Sequence, residues 1–246
     1  MLQTQTVSYD VDGVSMMGHL AIDDEAVASG ERRAGVLLSH EGAGMDDNVR
    51  SRAERLAALG YVAFALDYFG GGQQPPFADA QARLKENIDD AEAIRRLGHA
   101  GLAVLTAHPL VDPRRVAAIG FCFGGTMSLE LARSGAPLQA VVGFHPGLMS
   151  PRPEDSANIT GSVLMCCGAD DPIIPVDARQ KFEDEMRAAG VADWRVDLYG
   201  GVGHSFTNPA IDARGFPGFA YDERADRRSW RSMLELFSET IDVPIT

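Results

Sequence analysis

The chain contains few cysteines, and their number and spacing exclude a disulfide-stabilised fold. Its 246 residues include 3 cysteines, Cys122, Cys166 and Cys167, which are too few and too unevenly spaced for a disulfide framework. Cys166 and Cys167 are adjacent in an apolar run, which is typical of small buried hydrophobic residues. Cysteines and histidines nowhere follow the spacing of metal ligands, so we expect neither a metal site nor a cofactor.

Basic residues and long hydrophobic runs are also scarce. The chain has 22 Lys and Arg residues and 35 Asp and Glu residues, which gives a formal net charge of -13. No basic cluster is present that could neutralise phosphates. We therefore expect no nucleic-acid or membrane partner. No run approaches the roughly 18 apolar residues of a membrane span, and residues 1–4 lack the basic and apolar regions of a signal peptide. These absences predict a cytoplasmic protein with reduced thiols.

Apolar runs separated by helical patterns predict an α/β fold. Strands are predicted over residues 6–10, 14–22, 35–39, 61–66, 116–119, 140–144, 163–167 and 195–198. Helices are predicted over residues 48–59, once or twice within 81–107, and over 122–133, 176–189 and 222–241. Such alternation implies a mostly parallel central sheet with helices on both faces. The first strands precede any helix, which indicates an antiparallel start, and no linker interrupts the pattern, so we expect a single domain over residues 1–246.

Residues 120–125, Gly-Phe-Cys-Phe-Gly-Gly, are the most informative stretch of the chain. They follow an apolar strand and precede a helical pattern, and they fit the nucleophile-elbow template Gly-x-Ser-x-Gly with cysteine in place of serine. In such a turn the strand and the helix pack so closely that the residues two before and two after the nucleophile must lack side chains. Gly120 and Gly124 meet that requirement, so we expect Cys122 to stand on a strained turn above the edge of the sheet.

A thiol nucleophile needs a base and a group that orients the base. Asp170 and Asp171 follow a predicted strand, and we prefer Asp171 because Pro172 should hold it extended. His204 follows the next strand on a glycine-rich loop, which would let the imidazole move towards the sheet. The order nucleophile, acid, histidine is that of the α/β-hydrolases, with Asp171 on one ring nitrogen and Cys122 on the other. The remaining histidines lie within or beside predicted strands and helices: His19, His40, His99, His108 and His145.

The tetrahedral intermediate of such a reaction needs donors for its oxyanion. The N–H of Phe123 heads the predicted helix, where the helix dipole also favours negative charge. A second donor is expected in the loop after strand 35–39, where the N–H of Gly42 is the candidate. Its neighbour Glu41 is unusual there, because a carboxylate near an oxyanion is unfavourable. Glu41 is then either a solvated loop charge or a group that contacts the Cys122 thiol and helps to control its ionisation.

Two loops are candidates for the border of a ligand pocket. Residues 70–76, rich in glycine and proline, follow the carboxyl end of a predicted strand, where ligands bind in open α/β sheets. Residues 208–220 follow His204 and contain further glycine and proline. Either loop could instead be ordinary surface structure.

Taken together, these motifs resemble the dienelactone hydrolase family of α/β-hydrolases over most of the chain. The resemblance is carried by residues 40–44 (His-Glu-Gly-Ala-Gly), the cysteine elbow, the acid loop 168–175 and residues 203–206 (Gly-His-Ser-Phe). It implies an α/β-hydrolase fold, a catalytic triad of Cys122, His204 and Asp171, and Glu41 as a modulator of the thiol. It also implies a largely neutral resting thiol, with the glutamate engaged when substrate binds.

The chain departs from the best-characterised members of that family at a substrate-binding position. Those members carry an arginine four residues after the histidine, which helps to hold the dienelactone carboxylate, whereas this chain has Asn208. We nominate Arg83 as an alternative cation. Asn208 and Arg83 are therefore the candidate substrate-binding residues, and a carboxylated dienelactone is not assumed as the native substrate.

These observations predict a hydrolase that opens a lactone or cleaves an activated carboxylic ester through a thioester at Cys122. A thiolate leaves more readily than an alkoxide, so an ester with an enol-type leaving group is favoured over an amide. Two alternatives are a general carboxylesterase or thioesterase on the same triad, and a non-catalytic protein that senses oxidants through its thiol. The expected partner is a small-molecule ester or lactone, and the oligomeric state stays open.

The choice between the two aspartates can be tested by mutation. We expect Asp171→Asn to lower kcat/KM for p-nitrophenyl acetate by roughly a thousandfold or more, because the imidazole would lose its orienting carboxylate. Asp170→Asn is the matched control and should retain most of the wild-type rate. A larger loss in Asp170→Asn would assign the acid to Asp170 instead.

Overall fold

The structure is a computed structural model and describes residues 1–88 and 90–242. Eight strands of this part of the chain form one sheet. In chain order the strands are β1 (Leu2–Val11), β2 (Val14–Asp23), β3 (Arg33–Ser39), β4 (Val62–Leu66), β5 (Val111–Phe121), β6 (Ala140–Phe144), β7 (Ser162–Gly168) and β8 (Trp194–Tyr199). Their order across the sheet is β1-β2-β4-β3-β5-β6-β7-β8. The pairs β1/β2 and β2/β4 are antiparallel and the others are parallel. The predicted mostly parallel sheet with an antiparallel start is confirmed.

The helices are α1 (Asp24–Ser29), α2 (Asp47–Ala57), α3 (Phe77–Ile88), α4 (Ala91–Ala107), α5 (Phe123–Arg133), α6 (Val176–Ala189) and α7 (Glu223–Thr240), with short 3-10 helices at Pro153–Asn158 and Pro209–Arg214. The predicted region 81–107 forms two helices, the first of which begins earlier than predicted. Asp90 separates them, because its side chain accepts the N–H of Ala93 at 3.1 Å and caps α4. The sequence pattern missed α1 and both 3-10 helices, since each has 6 residues and is too short to show a periodicity. Residue 89 of that predicted region and residues 243–246 of the predicted domain lie outside the described residues.

The sheet separates two hydrophobic cores. Along β3, Leu37 packs into one core, while Val36 and Leu38 pack into the other, as the alternation of side chains along a strand requires. Residues of α4, α5 and α6 close the first core, and residues of α2 and α7 close the second. Helices therefore cover both faces, as predicted. Across the described ranges no helix is both long enough and apolar enough to cross a bilayer.

Buried ion pairs hold the far end of α5, the helix that follows the elbow. Arg133 is fully buried and binds Glu130 at 2.9 Å and Glu185 of α6 at 2.6 Å. Arg95 of α4 binds the other carboxylate oxygen of Glu130 at 3.0 Å. The three helices are thus joined through two arginines. Removal of Glu130 would take one buried counterion from each of the two arginines.

The turn from β5 to α5 is built on a strained residue. Cys122 has a φ of 53°, a conformation that costs on the order of 1–3 kcal/mol for a residue with a side chain, and α5 therefore begins at Phe123 rather than at Cys122. A Cβ on Gly120 would lie 2.0 Å from the carbonyl oxygen of Gly124, and a Cβ on Gly124 would lie 2.2 Å from that of Ser39. The predicted steric need for glycine on both sides of the cysteine is confirmed.

Gly124→Ala tests this packing. Its methyl group would meet the main chain of β3, so we expect the free energy of unfolding to fall by about 2 kcal/mol or more, as measured by urea denaturation. Gly200→Ala is the control, because nothing lies within 4 Å of a Cβ at Gly200. Equal stability of the two variants would contradict the steric account of the elbow.

Candidate active site

Three side chains form a hydrogen-bonded chain at the carboxyl ends of β5, β7 and β8. Nε2 of His204 lies 3.1 Å from Sγ of Cys122, and its Nδ1 lies 2.7 Å from Oδ2 of Asp171. The other carboxylate oxygen of Asp171 accepts two main-chain N–H groups of the following turn, at 2.8 and 3.2 Å, which fixes the carboxylate towards the imidazole. Asp170 is exposed. The structure therefore brings Cys122, His204 and Asp171 together and leaves Asp170 outside.

The loop that carries His204 is fixed on both sides. The N–H of His204 donates to the carbonyl of Gly218 at 2.8 Å, and its carbonyl accepts from Ala220 at 3.2 Å. The imidazole is fully buried, and its centroid lies 4.7 Å from that of the Phe219 ring. The loop glycines were expected to let the imidazole move. A Cβ on Gly203 would lie 2.2 Å from the carbonyl oxygen of Gly218, so this glycine instead permits close packing that immobilises His204.

The surroundings of His204 favour its charged form. Burial by itself lowers the pKa of an imidazole, but the charge of Cys122 and the hydrogen bonds to Asp171 and Cys122 outweigh it and raise the pKa of His204 from 6.5 to about 10. The raised pKa means that His204 binds a proton more readily than a free imidazole.

The expected oxyanion donors lie close to Cys122, the candidate nucleophile. Phe123 is the first residue of α5, and N–H groups in the first helical turn have no acceptor within the helix. Gly42 lines the same cavity as Cys122. The hydroxyl of Tyr68 lies 2.9 Å from the carbonyl oxygens of both residues before Gly42. Tyr68 thereby holds the main chain of this loop in place.

Cys122 faces a largely apolar cavity with a volume of about 450 Å³. The loops after β3, β7 and β8, together with α3, contribute its apolar lining: Ala43, Ala80, Leu84, Ile173, Ile211, Phe216, Pro217 and Phe219. Among the described residues the polar lining consists of Glu41, Gln81, Ser205 and Arg214, beside the cysteine. Such a surface suits a small, mostly apolar organic molecule.

Only one of the two predicted pocket loops borders this cavity. Residues 208–220 supply part of its lining, as predicted. Residues 70–76 contribute none of the lining found among the described residues. The carboxylate of Asp67 accepts the N–H groups of Gly70 and Gly72, at 2.9 and 2.8 Å, so this loop is folded around a buried acid.

Glu41 is 6% exposed, so the interpretation as a solvated loop charge is wrong. Its Oε2 lies 3.4 Å from both Oγ of Ser205 and Nδ2 of Asn208. Its Oε1 has no hydrogen-bond partner among the described residues and lies 3.7 Å from Nε2 of His145. A direct contact with the thiol of Cys122 is not formed in this structure, where the sulfur faces the imidazole.

Burial favours the neutral form of Glu41. Desolvation and the nearby carboxyl of Asp46 raise the pKa of Glu41 from 4.5 to about 7, although the charge of His204 and the hydrogen bond from Asn208 oppose the shift. The pKa of Asp46 is also raised, chiefly by burial. A buried carboxyl group at the cavity and a half-buried one beside it are therefore both more easily protonated than exposed carboxyl groups.

The two predicted substrate-binding residues do not contribute to the described lining of the cavity. Nδ2 of Asn208 lies 3.4 Å from Oε2 of Glu41 and 3.1 Å from Oδ2 of Asp46, so this amide joins the two carboxyl groups. Arg83 donates a hydrogen bond to a main-chain carbonyl in the loop after β4. Among the described residues that line the cavity, the guanidinium group belongs to Arg214, whose role the sequence pattern did not indicate.

His145 and Thr207 also lie at the site, although no motif singled them out. Nδ1 of His145 accepts the main-chain N–H of Cys122 at 3.1 Å, and Nε2 lies 2.8 Å from Oγ1 of Thr207. From the sequence, His145 is placed only beside a predicted strand and is given no role. The available signal was its position, since the carboxyl end of β6 is adjacent to that of β5 in a parallel sheet.

The profile of the dienelactone hydrolase family matches residues 18–241. A solved structure described as a dienelactone hydrolase-like promiscuous phosphotriesterase from metagenomic libraries is 41% identical, covers 97% of this chain and 98% of that chain, and has a TM-score of 0.92. A candidate carboxymethylenebutenolidase of Synechocystis sp. is 28% identical over 96% of both chains. A candidate 2-oxo-3-(5-oxofuran-2-ylidene)propanoate lactonase of Bradyrhizobium sp. is 27% identical over 95% of both chains. The chain therefore belongs to the dienelactone hydrolase family and is a hydrolase with the α/β-hydrolase fold.

Proposed function

We propose that this enzyme hydrolyses a small lactone or an activated carboxylic ester through nucleophilic attack by Cys122. The observation that carries the proposal is the hydrogen-bonded chain from Asp171 through His204 to the sulfur, at 2.7 and 3.1 Å, beside an apolar cavity. Nucleophile, base and orienting acid in such a chain have the geometry of covalent acyl transfer. Because the chain is a hydrolase, a non-catalytic thiol sensor is not proposed.

The reaction would proceed in two stages. His204 accepts the thiol proton as Sγ of Cys122 attacks the carbonyl carbon, and the N–H groups of Phe123 and Gly42 stabilise the oxyanion. The carbon–oxygen bond to the leaving group breaks, the leaving oxygen takes the proton from His204, and a thioester remains. Water then loses a proton to His204 and attacks the thioester, which releases the acid and restores the thiol.

The leaving group decides which esters can react by this route. A tetrahedral intermediate expels its better leaving group, and a thiolate leaves more readily than a simple alkoxide. An enolate or phenolate leaving group removes this disadvantage, which favours activated esters and enol lactones. With Asn208 turned towards Glu41 and Asp46, we favour a substrate without a carboxylate at that position.

A general carboxylesterase or thioesterase on the same triad is the alternative within this mechanism. Cys122→Ser separates the two, because a specialised thiol site loses most of its activity, whereas a general esterase pocket tolerates an alcohol nucleophile. The relative described as a promiscuous phosphotriesterase, 41% identical to this chain, supports phosphotriesters as a second substrate class. The same sulfur could attack a phosphorus centre that carries a phenolate leaving group.

Turnover of p-nitrophenyl esters, small enol lactones and paraoxon, combined with mass spectrometry of the trapped enzyme, tests the proposal. We expect ester hydrolysis by the wild type and an acyl adduct on the peptide that contains Cys122. Cys122→Ala should give neither, and His204→Ala should lower kcat by about 10³-fold or more. His99→Ala, at an exposed position, is the control for histidine replacement. Undiminished hydrolysis by Cys122→Ala would refute the mechanism.

The buried carboxyl group of Glu41 predicts a pH-dependent cost to stability. Its pKa is about 7 in the folded protein against 4.5 for a free carboxyl, so between these values the folded state binds more protons than the unfolded state. Stability is then lost as the pH rises from 4.5 to 7. Relative to the wild type, Glu41→Gln should therefore gain on the order of 3 kcal/mol in unfolding free energy between pH 4 and pH 8.

Urea denaturation at pH 4, 6 and 8 measures this difference. Glu31→Gln is the control, because the side chain of Glu31 is 73% exposed and its replacement should leave the pH profile unchanged. A Glu41→Gln profile parallel to that of the wild type would show that Glu41 is already charged in the folded protein.

A further inference from the structure

His145 occupies a position that the proposed mechanism does not use. Its side chain is fully buried, and it stands directly behind the nucleophile. The main-chain N–H of Cys122 donates both to the carbonyl oxygen of Phe144 at 2.9 Å and to Nδ1 of His145 at 3.1 Å. The centroid of the His145 ring lies 5.1 Å from that of His204. The imidazole does not line the cavity described for Cys122, so it contacts the machinery without facing a substrate.

The hydrogen bonds define the tautomer of His145. A main-chain N–H can only donate, so Nδ1 must carry the lone pair that accepts from Cys122, and the ring proton is on Nε2. Nε2–H then donates to Oγ1 of Thr207 at 2.8 Å. A charged His145 would place a second N–H against the N–H of Cys122. Burial and the positive charges of His204 and Arg52 lower the pKa of His145 well below its usual value, which keeps the ring neutral.

The second partner of His145 is itself fixed in place. Thr207 belongs to the loop that carries His204, and its carbonyl accepts from Nη2 of Arg52 at 2.6 Å. The same nitrogen of Arg52 donates to Asp226 of α7 at 2.8 Å. His145 therefore joins the turn that bears the sulfur to an anchored segment of the loop that bears the base. Its Nε2 also lies 3.7 Å from Oε1 of Glu41, the buried oxygen without a hydrogen-bond partner among the described residues.

Backbone strain marks the same contact. The φ of Cys122 is 53°, that of His145 is 43° and that of Ser205 is 54°, and none of the three is a glycine. A strained backbone conformation persists only where contacts with the surrounding structure hold it in place, and such conformations cluster at functional sites. Here one residue of the nucleophile turn, one of the histidine loop and the residue that lies between them share this property.

We propose that His145 is a positioning residue for the thiol: its Nδ1 holds the Cys122 N–H on the inner side of the elbow, and its Nε2–H ties the elbow to the loop that carries His204. The proposal rests on the proposed function, because it concerns the distance between the nucleophile and its base. A displacement of about 1 Å between reacting groups can lower a rate by roughly 10²-fold, so a contact that sets this distance affects kcat more than KM.

Asparagine and glutamine separate the two ends of the imidazole. Asparagine places its Oδ1 near the position of Nδ1 and can still accept from the Cys122 N–H. Glutamine places its amide near Nε2, so that the Cys122 N–H keeps the carbonyl of Phe144 but loses its side-chain acceptor. We expect H145N to keep kcat within about threefold of the wild type and H145Q to lower kcat by about tenfold or more, with KM changed by less than about twofold in both. H99N and H99Q are the controls at an exposed histidine.

Alkylation of Cys122 by iodoacetamide provides a readout that does not depend on ester turnover. Its rate, followed by peptide mass spectrometry, should fall by about tenfold in H145Q and stay near the wild-type rate in H145N. If the wild type forms no acyl adduct on Cys122, the proposed function fails, but the alkylation rates still test His145. Urea denaturation shows whether any loss of rate follows a loss of stability.

The order of the two variants decides the outcome. Wild-type rates in both, equal losses in both, or a greater loss in H145N than in H145Q would each overturn the proposal, because each would reduce His145 to packing. If H145Q does not fold, T207V and T207S take its place. T207V removes the acceptor of Nε2–H and should lower kcat at unchanged KM, whereas T207S keeps the hydroxyl and should restore it. Equal rates in these two variants would also overturn the proposal.

Discussion

Cys122 adopts a backbone conformation that residues with side chains avoid, with a φ of 53°, and the main chain around it leaves no alternative. Gly120 and Gly124 let β5 and α5 approach within distances at which a Cβ would collide with carbonyl oxygens. The sulfur is thereby lifted above the sheet edge, and the first N–H groups of α5 are left without helical acceptors. The positions of the candidate nucleophile, of the candidate oxyanion donor and of the positive end of the helix dipole all follow from this one turn.

The position of the turn in the sheet determines what surrounds the sulfur. β5 lies between β3 and β6, and β7 and β8 follow on the β6 side. Because these strands are parallel, the loops after β3, β7 and β8 all emerge at the edge where Cys122 stands. They contribute Glu41, Asp171 and His204, while His145 directly follows β6. The cavity is completed by α3 and by residues 208–220, which are not part of the sheet.

Burial assigns different charge states to the ionisable groups at this edge. Asp171 and Cys122 raise the pKa of His204, whereas burial lowers that of His145 and raises that of Glu41. Two imidazoles with centroids 5.1 Å apart are thus held in different forms, one suited to exchanging a proton and the other to accepting a main-chain hydrogen bond. Asn208 contacts the carboxyl groups of both Glu41 and Asp46 without adding a positive charge.

Local pattern was sufficient for the elements and for the main members of the site. The predicted ranges of β6 and α6 agree with the structure at both ends, because apolar runs and helical spacing are properties of neighbouring residues. Cys122, Asp171 and His204 could be identified because each follows a predicted strand in a fixed order, and the elbow requires a fixed spacing of glycines. The sequence by itself therefore determined the α/β architecture, the thiol turn and the chain of residues that meets there. Only the tertiary structure decided that Glu41 is buried, that Asn208 and Arg83 bind other protein groups, and that His145 rather than a motif residue contacts the elbow. These contacts depend on distances between loops that follow different strands. The order of strands in the sheet sets those distances, and no local sequence pattern encodes them.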